Sequence, residues 1–218
     1  MKKFFTLAIA SLLIINAKAQ FQKGNKVFGF GINVENAHSN TLYPLSETIN
    51  KGFMLGASVS LAKAKSENRL NGFTLTAGYG KLKSRTNIPF ASDQFSESFN
   101  AGLGYFMRKY KPLGKNFFVF GEAQASFNYN RQLFRSATNK VNDDRYNVTI
   151  GVYPGLAYKW NDRFLLELRF ADFAALSYNY IEQESNDSKS FSRGVSFGTS
   201  LGLGYLNNIG IGARWIIK

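Results

Sequence analysis

The 218-residue chain contains no cysteine and a single histidine, His38. No disulfide framework is available to it, and one imidazole without a thiolate leaves too few ligands for a zinc site. After residue 20 no apolar run approaches the roughly 18 residues that a spanning helix needs, which excludes a helical membrane protein. Charge is also scarce where a soluble sheet would need it. A soluble exterior is about 25 to 35% charged, whereas the polar faces described below are mainly Gly, Ser, Thr and Asn.

The first residues form a separate object. Lys2 and Lys3 precede an apolar run from Phe4 to Ile15, and Ala17, Lys18 and Ala19 follow before Gln20. That order is expected of a secretory signal peptide over residues 1–19, leaving one domain over 20–218. Lys2, Lys3 and Lys18 leave with the leader and no acid does, so the formal charge of +13 falls to +10. A basic exported chain suits anionic lipid headgroups or lipopolysaccharide phosphates and has no use for nucleic acid; a merely solvated rim is the plainer account of the scattered Lys and Arg.

What fills the chain is alternation. From Arg145 onward, Tyr146, Val148, Ile150, Val152, Leu156 and Tyr158 share one face, and Asn147, Thr149, Gly151, Gly155 and Ala157 the other. This period of two is that of a strand. Asn161 and Asp162 supply turn chemistry, after which Phe164, Leu166, Leu168 and Phe170 oppose Glu167, Arg169 and Ala171. Further alternating stretches run from Val27 to Val34, Phe53 to Leu61, Phe73 to Tyr79, Phe95 to Arg108 and Phe117 to Asn130. The last, from Val195 to Ile217, keeps its odd positions apolar except at Thr199 and Asn207. It is expected to be one long strand, irregular near residues 206–208. The polar links alternate long and short, at 35–51, 63–69, 83–94, 109–116, 132–144, 160–163 and 181–193. Transmembrane barrels have this asymmetry, with short periplasmic turns and long external loops. The expectation is an all-β fold, an eight-stranded antiparallel up-and-down transmembrane β-barrel, with ten strands as the alternative.

Phe117 to Ala123, Pro154 to Tyr158, Asn161 to Arg163 and Glu167 carry a resemblance to the small OmpA/OmpX-like outer-membrane β-barrel family of Bacteroidota. It spans the mature chain as a pattern more than as a sharp motif. The resemblance implies an eight-stranded surface protein without a shared catalytic site, inserted by the outer-membrane assembly machinery among outer-membrane lipids, lipopolysaccharide included.

No constellation for chemistry stands out. His38 falls in the first long link and Ser92 with Asp93 in the second. Lipid-modifying barrels resemble this in placing His and Ser on external loops, but acyl transfer needs a base beside its nucleophile and a pocket for the chain. The Gly-x-Gly pairs at 29/31, 78/80, 102/104 and 202/204 lie inside strands with no helix after them, so they read as small inward residues that let a narrow barrel close. No catalytic, cofactor or metal residues are assigned. Glu122, Glu167, Arg169 and Arg214 all fall on the expected inward face at similar depth, where charges must pair. They are expected to form a lumen charge network, Glu167 with Arg214 on neighbouring strands and Glu122 with Arg169 across the barrel, in an interior otherwise of small polar residues. Tyr79, Tyr105, Tyr129, Tyr146, Tyr158, Trp160 and Trp215 near strand ends are expected to form aromatic girdles. The expectation is a monomeric outer-membrane barrel without catalysis, a structural or surface interaction and adhesion protein. The alternatives are a small pore or channel, a lipid-modifying enzyme and a secreted lipocalin-like binding barrel with its apolar face inward.

Overall fold

The computed structural model describes residues 21–43, 46–86, 94–135, 140–185, 188–199 and 210–217. The leader, Ser92, Asp93 and the stretch around Asn207 lie outside them. Among the described residues there are ten strands, all antiparallel: β1 (Lys26–Tyr43), β2 (Ser46–Ser66), β3 (Arg69–Thr86), β4 (Gln94–Pro112), β5 (Phe117–Arg135), β6 (Lys140–Asn161), β7 (Phe164–Arg169), β8 (Ala174–Ser185), β9 (Ser188–Gly198) and β10 (Gly210–Ile217). β1 to β6 pair in sequence, β6 pairs with β7, β7 with β10 and β10 with β1, which closes a ring of eight. β8 continues the seventh position beyond β7 along β6, and β9 pairs with β8 at the eighth position.

The seventh strand is broken, which alternation alone does not reveal. From the Gly155/Arg169 pair to the Val152/Ala174 pair, β6 advances three residues and its partner five. Pro154 is the cause, since it has no N–H to donate to the ladder. Its carbonyl accepts from the Phe170 amide at 3.0 Å, and Phe173 donates to the Val152 carbonyl at 2.7 Å. The surplus of two residues is even, so Leu166, Leu168, Leu176 and Tyr178 stay on one face. At the eighth position the described residues form β9 and β10, and the stretch between them, where the expected irregularity falls, lies outside the described residues. Between the Arg169/Gly210 and Ala175/Gly198 pairs the seventh strand advances six residues and the eighth twelve. This surplus is again even, so the odd positions from Phe191 to Phe197 and from Ile211 to Ile217 face the same way.

Among the described residues, the flanks of the long polar links expected as loops are strands instead. β1 runs on to Tyr43, β2 starts at Ser46, β3 reaches Thr86, β5 reaches Arg135, β6 starts at Lys140 and β8 reaches Ser185. β1 to β6 have 18 to 22 residues each, about twice the 9 to 11 that cross a bilayer. At the other end the turns are tight. Glu67 and Asn68 join β2 to β3, with Asn68 at φ 55°; residues 113–116 join β4 to β5; Asp162 and Arg163 join β6 to β7.

The apolar face points outward. Phe28, Phe30, Ile32 and Val34 on β1, Phe53 to Leu61 on β2, Phe73 and Leu75 on β3, and Leu103 to Met107 on β4 are exposed, and β6, β7, β8 and β10 continue the band. The inward face has two regimes. Toward the long hairpins it is Gly, Ser, Thr and Asn, as expected. Toward the short turns it is large and dry: Val27, Leu70, Phe106, Phe118, Phe120, Leu165 and Ile216 are buried, which corrects the expectation of a uniformly small polar interior. Phe21 corks this mouth. Its side chain is fully buried against Tyr110, ring centroids 4.9 Å apart. Its segment is pinned by Gly24, at φ 96°, donating to the Ala64 carbonyl at 2.9 Å, and by Ala64 donating to the Asn25 carbonyl at 2.8 Å.

Gly155 shows how closely this end is filled, because a Cβ there would strike the Phe120 ring and the Leu168 carbonyl oxygen. Gly155→Val should lower stability by about 1 to 3 kcal/mol, the usual cost of overpacking. Gly121→Val, at an exposed position with open space around its Cβ, should leave it unchanged. Urea midpoints of the refolded variants in detergent check both, and equal midpoints would refute this packing.

Candidate functional site: the buried charge network

The densest polar chemistry sits just above the aromatic floor. Its hub is Arg108, which the sequence reading left out, because the alternation in β4 continues past Tyr105 and turns Phe106, Arg108 and Tyr110 inward. The Arg108 guanidinium donates through Nε and Nη2 to Glu122 Oε2 at 2.8 and 2.5 Å, and through Nη1 to Glu167 Oε2 at 2.5 Å. Nη1 also donates to the Tyr110 hydroxyl at 3.2 Å, and that hydroxyl donates to Glu167 Oε1 at 2.5 Å. Arg214 closes the far side, its Nε lying 2.8 and 3.0 Å from the two Glu167 oxygens and its Nη1 donating to Ser60 Oγ at 3.3 Å. Arg108, Glu122, Glu167 and Arg214 are each no more than 6% exposed.

The backbone explains how these groups meet. Glu122 stands directly opposite Arg108 in the β4/β5 ladder, and cross-strand partners on one face lie about 5 Å apart. Glu167 lies opposite Gly212, two residues from Arg214 on the same face of β10. Gly29 is opposite both Arg214 and Ser60, and a Cβ on it would collide with the Ser60 hydroxyl and come within 3.2 Å of the Arg214 guanidinium. One of the Gly-x-Gly pairs thereby gives the guanidinium its path across the strand. Aromatic faces line the rest. The Arg108 Cζ lies 4.1 Å from the Phe120 ring centroid and the Arg214 Cζ 5.1 Å from that of Phe106, contacts in which a cation is attracted by the ring face.

Arg169 occupies a different place from the one expected. Its Nη2 donates to Gln124 Oε1 at 2.7 Å and lies 3.5 Å from Glu122 Oε1, with its Cζ 3.8 Å over the Tyr153 ring. Glu122 is two strands away, not across the ring, and its nearer cation is Arg108. The Arg169 side chain is 35% exposed and Glu122 3%, so Arg169 is an outer member of the cluster. The network therefore sets three guanidinium groups against two carboxylates. Above it a cavity of about 420 Å³ opens, walled by Ser58, Ser60, Thr74, Thr76, Asn100 and Gln124.

The seven aromatic residues fall into two outward rows. Near the short turns, Phe73 packs on Tyr105 at 5.3 Å, Phe117 on Tyr158 at 4.9 Å, Tyr158 near Trp160 at 6.5 Å and Phe164 near Trp215 at 6.1 Å. Toward the hairpins, Tyr129, Tyr146 and Tyr180 stand opposite one another across β5, β6 and β8, at 5.3 and 6.1 Å. Tyr79 on β3 points its hydroxyl at Glu97, 3.4 Å away. His38 is exposed on β1, opposite Lys51. Among the described residues no group of three or more His, Cys, Asp or Glu side chains is placed to hold a metal.

Removing one member of a buried pair leaves the survivor uncompensated and typically costs roughly 3 to 5 kcal/mol. Arg108→Ala takes from Glu122 its two charge-assisted hydrogen bonds and from Glu167 one of its two guanidinium partners, and should cost that much, whereas Arg169→Ala, at a side chain partly in water, should cost about 1 kcal/mol or less. Adding Glu122→Gln to Arg108→Ala should recover part of the loss in a double-mutant cycle. Urea denaturation in micelles reads all three, and an Arg169→Ala loss exceeding that of Arg108→Ala would refute Arg108 as the hub.

No family model matches the chain, and no curated protein matches it. Among solved structures it is similar to Neisserial surface protein A, with 17% identity and a TM-score of 0.36 over 88% of this chain and 97% of that one. It is also similar to a major outer membrane protein from Thermus thermophilus, with 11% identity and a TM-score of 0.36 over 88% and 99%. A third is the COG4313 outer membrane channel from Pseudomonas putida F1, with 6% identity and a TM-score of 0.28 over 93% and 99%.

Proposed function

We propose that the chain is a monomeric eight-stranded transmembrane β-barrel of the outer membrane, exported by its leader and sealed at the short-turn end, serving as a non-catalytic surface scaffold for interaction or adhesion. The observation that supports this reading is the outer surface. A band of exposed Phe, Leu, Ile and Val follows the closed ring between two rows of Tyr and Trp. In water such a band would drive aggregation; in lipid it is the expected outer face of a barrel. The lipocalin-like arrangement needs the opposite polarity.

The interior supports a scaffold over a pore. A passing ion would have to displace Arg108, Glu122, Glu167 and Arg214 from one another and then part Phe106, Phe118, Phe120 and Phe21. Outer-membrane lipids, lipopolysaccharide included, and the assembly machinery are the partners this reading implies. The short turns face the periplasm and the long hairpins the exterior.

Cell fractionation and planar bilayers test this together. The protein should sediment with outer membranes and resist extraction without detergent, and the refolded protein should show no single-channel steps. Ser39→Cys should react with an impermeant maleimide on intact cells and Ser66→Cys only after lysis. Recovery as a soluble protein overturns the location, regular conductance steps overturn the seal, and labelling of Ser66→Cys alone reverses the orientation.

A further inference from the structure

We propose that the outward rim of β1 to β4 at the short-turn end, at Lys26, Lys63, Lys65, Arg69, Lys109 and Lys111, binds the phosphates of an anionic glycerophospholipid. The inference rests on the barrel reading above and adds to it a headgroup site confined to one side of the ring.

The first observation is a collar of cations with little counter-charge. The six side chains are exposed, and they share the parity of Phe28, Leu61, Phe73 and Met107, so they stand on the outward face. Lys26 is the direct cross-strand partner of Lys63, and Arg69 that of Lys109. Like charges directly opposite on one face of a sheet destabilise it, so each pair carries a local cost. Among the described residues none of the six is ion-paired. The acids described in the turns and strand ends here are Glu67, between β2 and β3, and Asp162, which lies 2.6 Å from Lys159. At the opposite end cations and acids are interspersed: Lys81 is 3.3 Å from Glu97, Arg131 is 4.0 Å from Asp144, and Lys189 is ion-paired with Glu182. One carboxylate, Glu67, is set against the whole collar, and this excess of positive charge draws an anion from outside.

The second observation identifies that anion as part of a lipid. Lys26, Lys63 and Lys109 each occupy the next outward position beyond an exposed member of the apolar band, Phe28, Leu61 and Met107 respectively. Arg69 is separated from Phe73 by Asn71, whose amide donates to the Tyr105 hydroxyl at 2.9 Å. Asn71 is also the cross-strand partner of Lys63. Cross-strand partners lie about 5 Å apart and alternate residues on a strand about 7 Å. The Arg69/Lys109 pair is therefore displaced by about 7 Å along the strands from the Lys26/Lys63 pair, a spacing that admits one phosphate at each. On β5, β6, β7 and β10 the same level presents Phe117, Tyr158, Trp160, Phe164 and Trp215 instead, which confines the site to one side. A glycerophospholipid meets both halves of this surface, phosphate against cation and acyl chain against apolar wall. A small soluble anion or an acidic protein meets only the cations.

The test uses the refolded protein in dodecylmaltoside micelles, with native mass spectrometry for bound lipid and thermal unfolding for its effect. The probes are cardiolipin, a glycerophospholipid with two phosphates, zwitterionic phosphatidylcholine, inorganic pyrophosphate and poly-glutamate. Cardiolipin should bind the wild type and raise its melting temperature. Lys63→Ala with Arg69→Ala, which takes one cation from each pair, should weaken binding about tenfold, and Arg131→Ala at the hairpin end should leave it unchanged. Lys63→Glu separates a binding role from a structural one. By placing a carboxylate opposite Lys26 it should raise the lipid-free melting temperature while abolishing the lipid-dependent rise. The proposal is overturned if the cardiolipin effect survives the Lys63 and Arg69 substitutions, if Arg131→Ala removes it equally, or if phosphatidylcholine reproduces it. A full rise with pyrophosphate or poly-glutamate alone also overturns it, marking a site for a soluble anion or an acidic protein. Because binding is read in micelles, these results are independent of fractionation, which tests the barrel reading separately.

Discussion

A guanidinium held out of water between two carboxylates sets the terms for this fold. Arg108 is 5% exposed and has its ion-pair partners on β5 and β7, while Arg214 reaches Glu167 from β10 and Ser60 on β2. A buried charge is tolerated only when its hydrogen-bonding capacity is met. The arginine fork meets this requirement through three geometrically fixed donors, where a lysine would offer a point charge. Because the members come from five strands of the ring, the network also specifies register. Slipping β4, β5, β7 or β10 by one residue turns its charged member outward and a neighbour from the outer face inward, so the cluster penalises mispairing at several seams at once.

The surroundings of that network follow from the width of the ring. Eight strands enclose a space just wide enough to be filled by side chains, so each level is a choice between large residues and small ones. Near the short turns the chain supplies rings, with Phe106, Phe118, Phe120 and Phe21 at or below the level of the charges. Toward the hairpins it supplies Gly, Ser, Thr and Asn, and a cavity remains. Dry aromatic walls lower the local dielectric and strengthen the Arg108 and Glu167 attraction, and their faces also attract the cations they cover. The seal and the network therefore depend on each other: neither the rings without the charges nor the charges without the rings would close this end so fully.

The sequence shows the parts of this design that have a period. Alternation of apolar with small residues revealed the strands, the outward face, the aromatic rows and four of the charged residues at the site. Arg108 escaped because Lys109, Lys111, Pro112 and Gly114 read together as a turn, although Phe106, Arg108 and Tyr110 keep the parity of Gly102 and Gly104. The long hairpins escaped for a different reason. Beyond the apolar band both faces of a strand meet water, the alternation fades, and a regular strand becomes indistinguishable from a loop. The breaks in the seventh and eighth positions insert even numbers of residues, so they leave the pattern of faces intact. Pro154, a residue without an amide hydrogen inside a strand paired on both sides, was the one visible sign of the first break.

Those extended strands bear on how the ring meets its surroundings. A flexible loop loses conformational entropy each time it binds, at about 0.5 to 1.5 kcal/mol for each immobilised side chain plus the ordering of its backbone. Here the backbone around Lys51, Lys83, Arg131 and Asp144 is already fixed in ladders during folding. Its side chains stand in rows whose spacing is set by the strand repeat. Such a wall suits a partner that is itself regular and laterally extended, since each further contact adds attraction without a further ordering cost.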